Sequence, residues 1–284
     1  MQIIFDKVSY EYKNEASKKI RALDQVSLKI ESGECIGVMG QTGSGKSTLI
    51  QHMNGLLKAG KGAVYYQGQD LSDKEVSLPK IRGEVGIVFQ NPDDQLFEET
   101  VFSDVCFGPM NKFKDRKTAE LKAFEALEKM EFPRELFYQP PYSLSGGEKR
   151  KAAIAGVLAM NPKVLILDEP AAGLDPKGKQ KLFTLLKRIW EKEKITLIFV
   201  SHSMEDIAEY ADRVIVMEQG KIYADGPVRE IFCGEYDLER IGLDLPQPLW
   251  LIKRLKKRGV DVRGDRMRME EVSKEILRCW KERH

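Results

Sequence analysis

The chain has 284 residues, enough for one well-buried domain and a small appendage. Its 42% hydrophobic and 32% charged residues form a globular balance that excludes an intrinsically disordered chain. With 46 basic against 44 acidic side chains the formal charge is only +2, which offers no general attraction to nucleic acid or anionic lipid.

The opening MQIIFDKVSYEY has no basic stretch leading into an apolar segment, so no secretory signal is expected. Val26, Leu28 and Ile30 alternate with Gln25, Ser27, Lys29 and Glu31, so the first thirty residues read as antiparallel β structure. From Glu34 the pattern changes to a compact apolar strand at Cys35–Met39, a glycine-rich turn at Gly40–Gly45 and a helical stretch at Lys46–Leu57. Short apolar strands follow at Val85–Phe89, Val164–Leu167, Thr196–Val200 and Val214–Met217, most of them separated by helical sequence. Strands apolar on both faces belong in a parallel sheet. None approaches the roughly 20 apolar residues that span a bilayer.

The long insertion Asn91–Met160 carries Leu121, Phe124, Leu127 and Met130 at helical spacing and reads as a helical subdomain over about 91–160. Leu182, Leu185, Leu186 and Ile189 read as the buried face of a further helix. After Gly220, Asp225-Gly226-Pro227 reads as a last turn, and a boundary near Pro227 divides the chain into 1–227 and an extension, 228–284. In the extension Pro246 and Pro248 lead into two helices. In the last, Met269, Val272, Ile276 and Trp280 give one apolar face, which is expected to hold the chain to a partner subunit, identical or homologous, with packing onto the main domain as the alternative. Cys35, Cys106, Cys233 and Cys279 lie far apart, with neither metal-ligand spacing nor a dense disulfide framework, as suits a reducing compartment. His52 and His284 read as structural or exposed.

Three motifs carry chemistry. Gly40-Gln41-Thr42-Gly43-Ser44-Gly45-Lys46-Ser47 matches G-x-x-x-x-G-K-[ST] in a strand–loop–helix context. Such a loop turns successive N–H groups toward phosphate oxygens, while Lys46 supplies charge and Ser47 a hydroxyl ligand for Mg²⁺. At the end of a buried strand, Asp168-Glu169 offers a carboxylate for Mg²⁺ and one to orient or deprotonate the attacking water; on its own the pair reads equally well as a helix cap. The third is Leu144-Ser145-Gly146-Gly147-Glu148, a serine–glycine turn opening an apolar helix, whose free N–H groups suit a phosphate.

This third peptide resembles the ABC signature, usually written LSGGQ, and extends the resemblance to the ABC ATPase superfamily over about the first 230 residues. The resemblance implies an ABC-type P-loop NTPase of the α/β class, with a RecA-like parallel-sheet core, an N-terminal antiparallel β subdomain, a helical subdomain and a small C-terminal extension. It implies ATP held by Gly40 through Ser47 and by Thr48, with Tyr12 stacking on adenine and Ser145, Gly146, Gly147 and Glu148 closing from the opposite subunit of a head-to-tail dimer. Mg²⁺ falls to Ser47, Gln90 and Asp168. Catalytic roles fall to Lys46, to Glu169, to Gln90 as the Q-loop glutamine and to His202 as the switch histidine, while Ala172-Gly173-Leu174-Asp175 resembles the D-loop. Each of these is weak alone: Tyr12 also suits a strand, Asp175 a helix cap and His202 a core histidine.

The segment Asn91-Pro92-Asp93-Asp94-Gln95-Leu96-Phe97-Glu98-Glu99-Thr100-Val101, with Phe107-Gly108-Pro109-Met110-Asn111 and the run Leu144–Met160, is similar to energy-coupling factor transporter ATPases. In that family Glu148 is an ordinary residue of the signature. The similarity implies a peripheral subunit on the cytoplasmic face of the membrane. Its partners would be a second ATPase subunit, a transmembrane component and a substrate-binding membrane protein for a vitamin or metal ion, with no nucleic acid. Asp93, Asp94, Glu98 and Glu99 are expected to receive arginine-bearing helices of the transmembrane component. The competing readings are a soluble ABC ATPase acting on nucleic acid or protein assemblies, for which only the basic run Lys253–Arg268 speaks, and an exporter ATPase. Acidic residues interspersed in and after that run fit a solvated helix instead.

Overall fold

The computed structural model describes residues 2–13, 19–92, 95–234, 236–263 and 269–283. Strands β1 (Ile3–Lys13) and β2 (Lys19–Ile30) pair antiparallel, with Ile3 opposite Ile30 and Phe5 opposite Leu28. The alternation read from sequence is real: Val26, Leu28 and Ile30 are buried while Gln25, Ser27 and Lys29 point outward. Two strands that the sequence did not announce, β4 (Lys61–Tyr66) and β5 (Gln69–Asp70), complete this sheet in the order β2-β1-β4-β5.

The second sheet has the order β10-β9-β3-β8-β7-β6. Its strands β3 (Cys35–Gly40), β6 (Val85–Val88), β7 (Val164–Asp168), β8 (Thr196–Val200) and β9 (Arg213–Glu218) run parallel. The edge strand β10 (Lys221–Pro227) pairs antiparallel with β9. Asp225-Gly226-Pro227 is therefore strand and not turn; the reversal occurs at Gln219-Gly220, both with positive φ. An edge strand tolerates Pro227, and Asp225 is fixed by two 2.7 Å bonds from the Arg213 guanidinium.

Helix α1 (Lys46–Met53) follows β3 and is shorter than the sequence indicated, because Asn54 and the left-handed Gly55 end it. After α2 (Leu78–Glu84) and β6, the insertion folds as α3 (Val101–Phe113), α4 (Arg116–Lys129) and α5 (Gly146–Leu158). In α4 the expected stripe is only half right. Leu127 and Met130 are buried, but Leu121 and Phe124 are exposed, and Ala119, Ala123 and Ala126 form the buried line. Small side chains let α4 approach its neighbours closely, a face that hydrophobicity counting underrates. Helix α6 (Pro176–Glu193) buries Leu182, Leu185, Leu186 and Ile189, as expected, and α7 (Met204–Tyr210) leads into β9.

Past Pro227 the chain packs first onto the main core, through Ile231 and Phe232 of α8 (Val228–Cys233) and through Leu238, Ile241, Leu243 and Leu249. Ile252, Val262, Val272 and Cys279 form a separate cluster, between α9 (Gln247–Lys257) and α10 (Met269–Arg283). Met269, Val272, Ile276 and Trp280 do not act as one face. Val272 turns inward with Cys279, one heptad apart, while Met269, Ile276 and Trp280 are exposed beside that line. Asp93, Asp94 and His284 lie outside the described residues.

The loop between β6 and α3 is pinned from below. The buried Asp104 carboxylate accepts from the backbone N–H groups of Phe97 (2.7 Å) and Glu98 (2.8 Å). Burial raises its pKa, against the lowering effect of those two bonds. Asp104→Ala leaves both N–H groups without an acceptor and is expected to cost about 1–3 kcal/mol. Urea unfolding of the full chain, with the slope unchanged and the midpoint lowered, is the measurement.

Candidate nucleotide site

Ligands of parallel α/β sheets bind beyond the carboxyl ends of the strands. Here the strand order sets β3, β8 and β7 side by side, so the segments following them are neighbours: Gly40–Ser47, Ser201-His202 and Asp168-Glu169. The backbone continues the alignment past the strands, since Ser201 N donates to Val38 O (3.1 Å) and Glu169 N to Val200 O (3.1 Å). Gly45 has φ +105, and a Cβ there would collide with the carbonyl oxygen of Ala22, so no other residue fits that point of the loop.

Within the loop the largely buried Lys46 donates from Nζ to Gly40 O (2.7 Å) and Gln41 O (2.9 Å). Ser47 Oγ donates to Asp168 Oδ2 at 3.3 Å, which joins the two residues expected to share a metal ion. Desolvation raises the pKa of Asp168 and pushes that of Glu169 up to about 7, while it lowers Lys46. Glu169 has φ +50, and its Oε1 lies 3.3 Å from Nε2 of His202 without hydrogen-bond alignment.

Two buried oxygens, Ser44 Oγ and Glu169 Oε1, have no hydrogen-bond partner among the described residues. Buried polar atoms normally find one, so these two fit a bound polar group between the loop and the carboxylates. The donor set also fits Mg²⁺ shared with phosphates, which takes only one or two protein oxygens. No cluster of three or more His, Cys, Asp or Glu side chains able to hold a metal ion occurs among the described residues.

The other expected site residues spread around this centre. Tyr12 is partly exposed, its hydroxyl 3.3 Å from Thr48 Oγ1 at the start of α1, and its ring packs edge-on against Tyr10. His52, expected to be structural or exposed, is buried with Nδ1 2.7 Å from Thr48 O. Gln90 follows β6 on the far side of β7 and is exposed. Asp175 caps α6 by accepting from Gly178 N (2.7 Å). Ser145, Gly146, Gly147 and Glu148 stand apart, at the exposed start of α5. There Ser145 N and Oγ both donate to Glu148 Oε2 (2.7 and 2.6 Å), and Glu148 N donates to Ser145 Oγ (3.4 Å), a capping box that lowers the Glu148 pKa.

The loop Gly242–Leu245 of the extension was missed. It forms the wall facing Gly40, Gln41, Thr42 and His202 across a cleft, and Gln247 N donates to Glu205 Oε1 (3.4 Å) beside it. Gly242 has φ +70, and a Cβ there would lie within bonding distance of the Gln41 amide nitrogen.

A family model described as ABC transporter matches residues 23–172. The energy-coupling factor transporter ATP-binding protein EcfA2 of Caldanaerobacter subterraneus subsp. tengcongensis is 49% identical over 98% of this chain and 97% of its own length. The chain belongs to the ABC transporter family, among the energy-coupling factor transporter ATP-binding proteins. EcfA2 of Acetivibrio thermocellus is 42% identical over 98% of both chains. Among solved structures, cbiO1 from Clostridium perfringens, part of the ABC transporter complex cbiONQ, matches with a TM-score of 0.74 at 35% identity, covering 88% of this chain and 98% of that one. A dimeric post-hydrolysis state of the ATP-binding cassette MJ0796 bound to ADP and Pi matches with a TM-score of 0.72 at 30% identity, covering 80% and 99%.

The Gly242–Gln41 approach gives a specific expectation for this ABC cassette. Gly242→Ala displaces the Gln41 amide at the mouth of the phosphate loop and should raise KM for ATP several-fold, on the order of 1 kcal/mol. In a Gln41→Ala background the same change should have no further effect on KM, because nothing remains to be displaced. Steady-state ATPase kinetics of the double-mutant cycle measure this.

Proposed function

We propose that this chain is the ATP-binding and ATP-hydrolysing subunit of an energy-coupling factor importer, energising uptake of a vitamin or transition-metal ion through a separate transmembrane component. The observation that carries the reading is the convergence of Lys46, Ser47, Asp168, Glu169 and His202 at three adjacent strand ends, with Ser44 Oγ and Glu169 Oε1 buried and unpartnered between them. A phosphate chain fits this cradle, and ATP is the nucleotide of the family. When bound, Mg²⁺ supplies charge neutralisation of the phosphates. Ser47 and Asp168 would hold it, with Gln90 reaching in from the end of β6. Lys46 holds phosphate oxygens, and Glu169, its carboxylate desolvated, orients and deprotonates water. His202 lies beside Glu169, where the terminal phosphate would end.

The signature turn is exposed, and among the described residues no hydrogen bond or ion pair ties it to the chain's own phosphate loop. That supports a head-to-tail dimer in which Ser145–Gly147 meet the partner's nucleotide. We assign residues 1–227 to the ATPase domain and 228–284 to the extension. Exposed Met269, Ile276, Leu277 and Trp280 support a role for the extension in holding subunits together. Around the acidic segment, exposed Phe97 and Phe107, in edge contact at 4.9 Å, support a surface for the transmembrane component. No helix among the described residues is long and apolar enough to cross a membrane. A peripheral position on the cytoplasmic side follows from the proposed partners.

Glu169→Gln should bind ATP with near-normal affinity yet lose nearly all turnover, on the order of a hundredfold or more. Sedimentation should show ATP promoting its dimer; normal hydrolysis in this variant removes Glu169 from the role. The double change Met269→Ser and Ile276→Ser should weaken nucleotide-free dimerisation while leaving thermal stability near wild type, since both side chains are already exposed. Unchanged dimerisation in sedimentation would place the subunit contact elsewhere.

A further inference from the structure

Arg150 lies just over one turn into the helix that begins at the signature turn, yet its side chain is buried, with only 6% exposed. Its guanidinium reaches across to the catalytic core. Nη1 donates to the backbone carbonyls of Gln90 (2.9 Å) and Glu169 (3.0 Å), and Nη2 to that of Ala172 (3.2 Å). The three carbonyls belong to two segments far apart in sequence: the end of β6, and the turn after β7 that runs from the left-handed Glu169 to Ala172, whose N–H itself donates to Glu169 O (3.1 Å). Burying a cation is costly unless it is well paired, and packing alone would be served by an apolar side chain. Among the described residues no carboxylate is hydrogen-bonded to the group; its attraction to Glu169 acts through space. A planar fork of donors suits three carbonyls around one point, whereas the ammonium of Lys is a compact charge with no such geometry.

We propose that Arg150 is a positioning residue, locking the signature helix to the Gln90 and Glu169–Ala172 segments so that the signature turn and the catalytic carboxylate move as one body. This rests on the roles proposed above for Glu169 and the signature turn. Because the bonds go to backbone carbonyls, Arg150 fixes where the Glu169 side chain starts without touching the reacting atoms. It also joins α5 to the segment that follows Gln90, so displacement at that segment is passed to the turn that would close over the partner's nucleotide.

The test is steady-state hydrolysis and ATP binding by full-length Arg150→Lys and Arg150→Gln, with thermal unfolding of each and Glu169→Gln alongside. A misplacement of about 1 Å costs on the order of a hundredfold in rate. We expect kcat to fall by that order in Arg150→Gln and about tenfold in Arg150→Lys, with ATP affinity within about twofold and the chains folded at the assay temperature. Wild-type kcat in Arg150→Lys, or parallel losses of kcat, affinity and thermal stability, would overturn the positioning role. Where neither variant folds, amide exchange on the wild-type chain decides. Protection at Gly146–Lys149 and at Glu169–Ala172 should change together on adding MgATP, and independent changes overturn the proposal. If Glu169→Gln hydrolyses ATP normally, the site reading fails; if it is inactive and Arg150→Lys is normal, only the Arg150 proposal fails.

Discussion

The lateral order of β3, β8 and β7 is the constraint on which everything else depends. Backbone pairing of three parallel strands forces the segments after them into one small volume, whatever their separation in sequence. Ser47 and Asp168 are 121 positions apart and meet at 3.3 Å because of it. The strands pay for nothing in chemistry, but their uniform apolar burial holds this register: Val38, Ile166 and Ile198 are fully buried. A one-residue slip would reverse every side chain between the faces of the sheet and separate the carboxylates from the phosphate loop.

The chemistry created at that junction is unfavourable in isolation. Burial raises the pKa of Asp168 and Glu169 and lowers that of Lys46, so each charged form is disfavoured by the same dry surroundings. Attraction through space partly offsets this: Lys46 lowers both carboxylate pKa values, and the two carboxylates raise that of Lys46. Ser44 Oγ and Glu169 Oε1 remain buried without a hydrogen-bond partner among the described residues. A site with such oxygens gains more from a polar ligand than a fully satisfied one, since the cost of desolvation is already present before the ligand arrives.

Much of this was legible in the sequence, and the exceptions share a cause. Continuous apolar strands and the glycine loop are local signals, and the phosphate loop, Asp168-Glu169 and His202 converge because strand ends do, whereas the signature turn stands apart. What escaped was set by tertiary packing. The alanine line of α4 carries little hydrophobicity, yet it is the buried face, and Leu121 and Phe124 are left outside it. Asp225-Gly226-Pro227 has turn composition, but an edge position and the Arg213 clamp make it strand. On α10 a regular apolar spacing proved to be two lines, because α9 covers only the one with Val272 and Cys279. The approach of Gly242 to Gln41 joins residues about two hundred positions apart and leaves no trace in either local segment.

Glu148 shows how a departure from a motif can be structural. A carboxylate in the signature turn, where Gln is usual, places negative charge near a phosphate site, and the geometry shows where that charge is spent. Glu148 turns back onto Ser145 and accepts from both its N–H and its hydroxyl, so the charge faces the positive end of α5. An amide in the same place could accept the N–H bond, but would lack the charge that strengthens both contacts. The arrangement has a consequence for closure. With its proton given to Glu148, the Ser145 hydroxyl must exchange that bond before it can donate to a phosphate, whereas the backbone N–H groups of Gly146 and Gly147 at the helix start carry no such commitment. In the proposed dimer, recognition at this turn would fall first on the backbone of the two glycines, with Glu148 keeping the turn in shape for it.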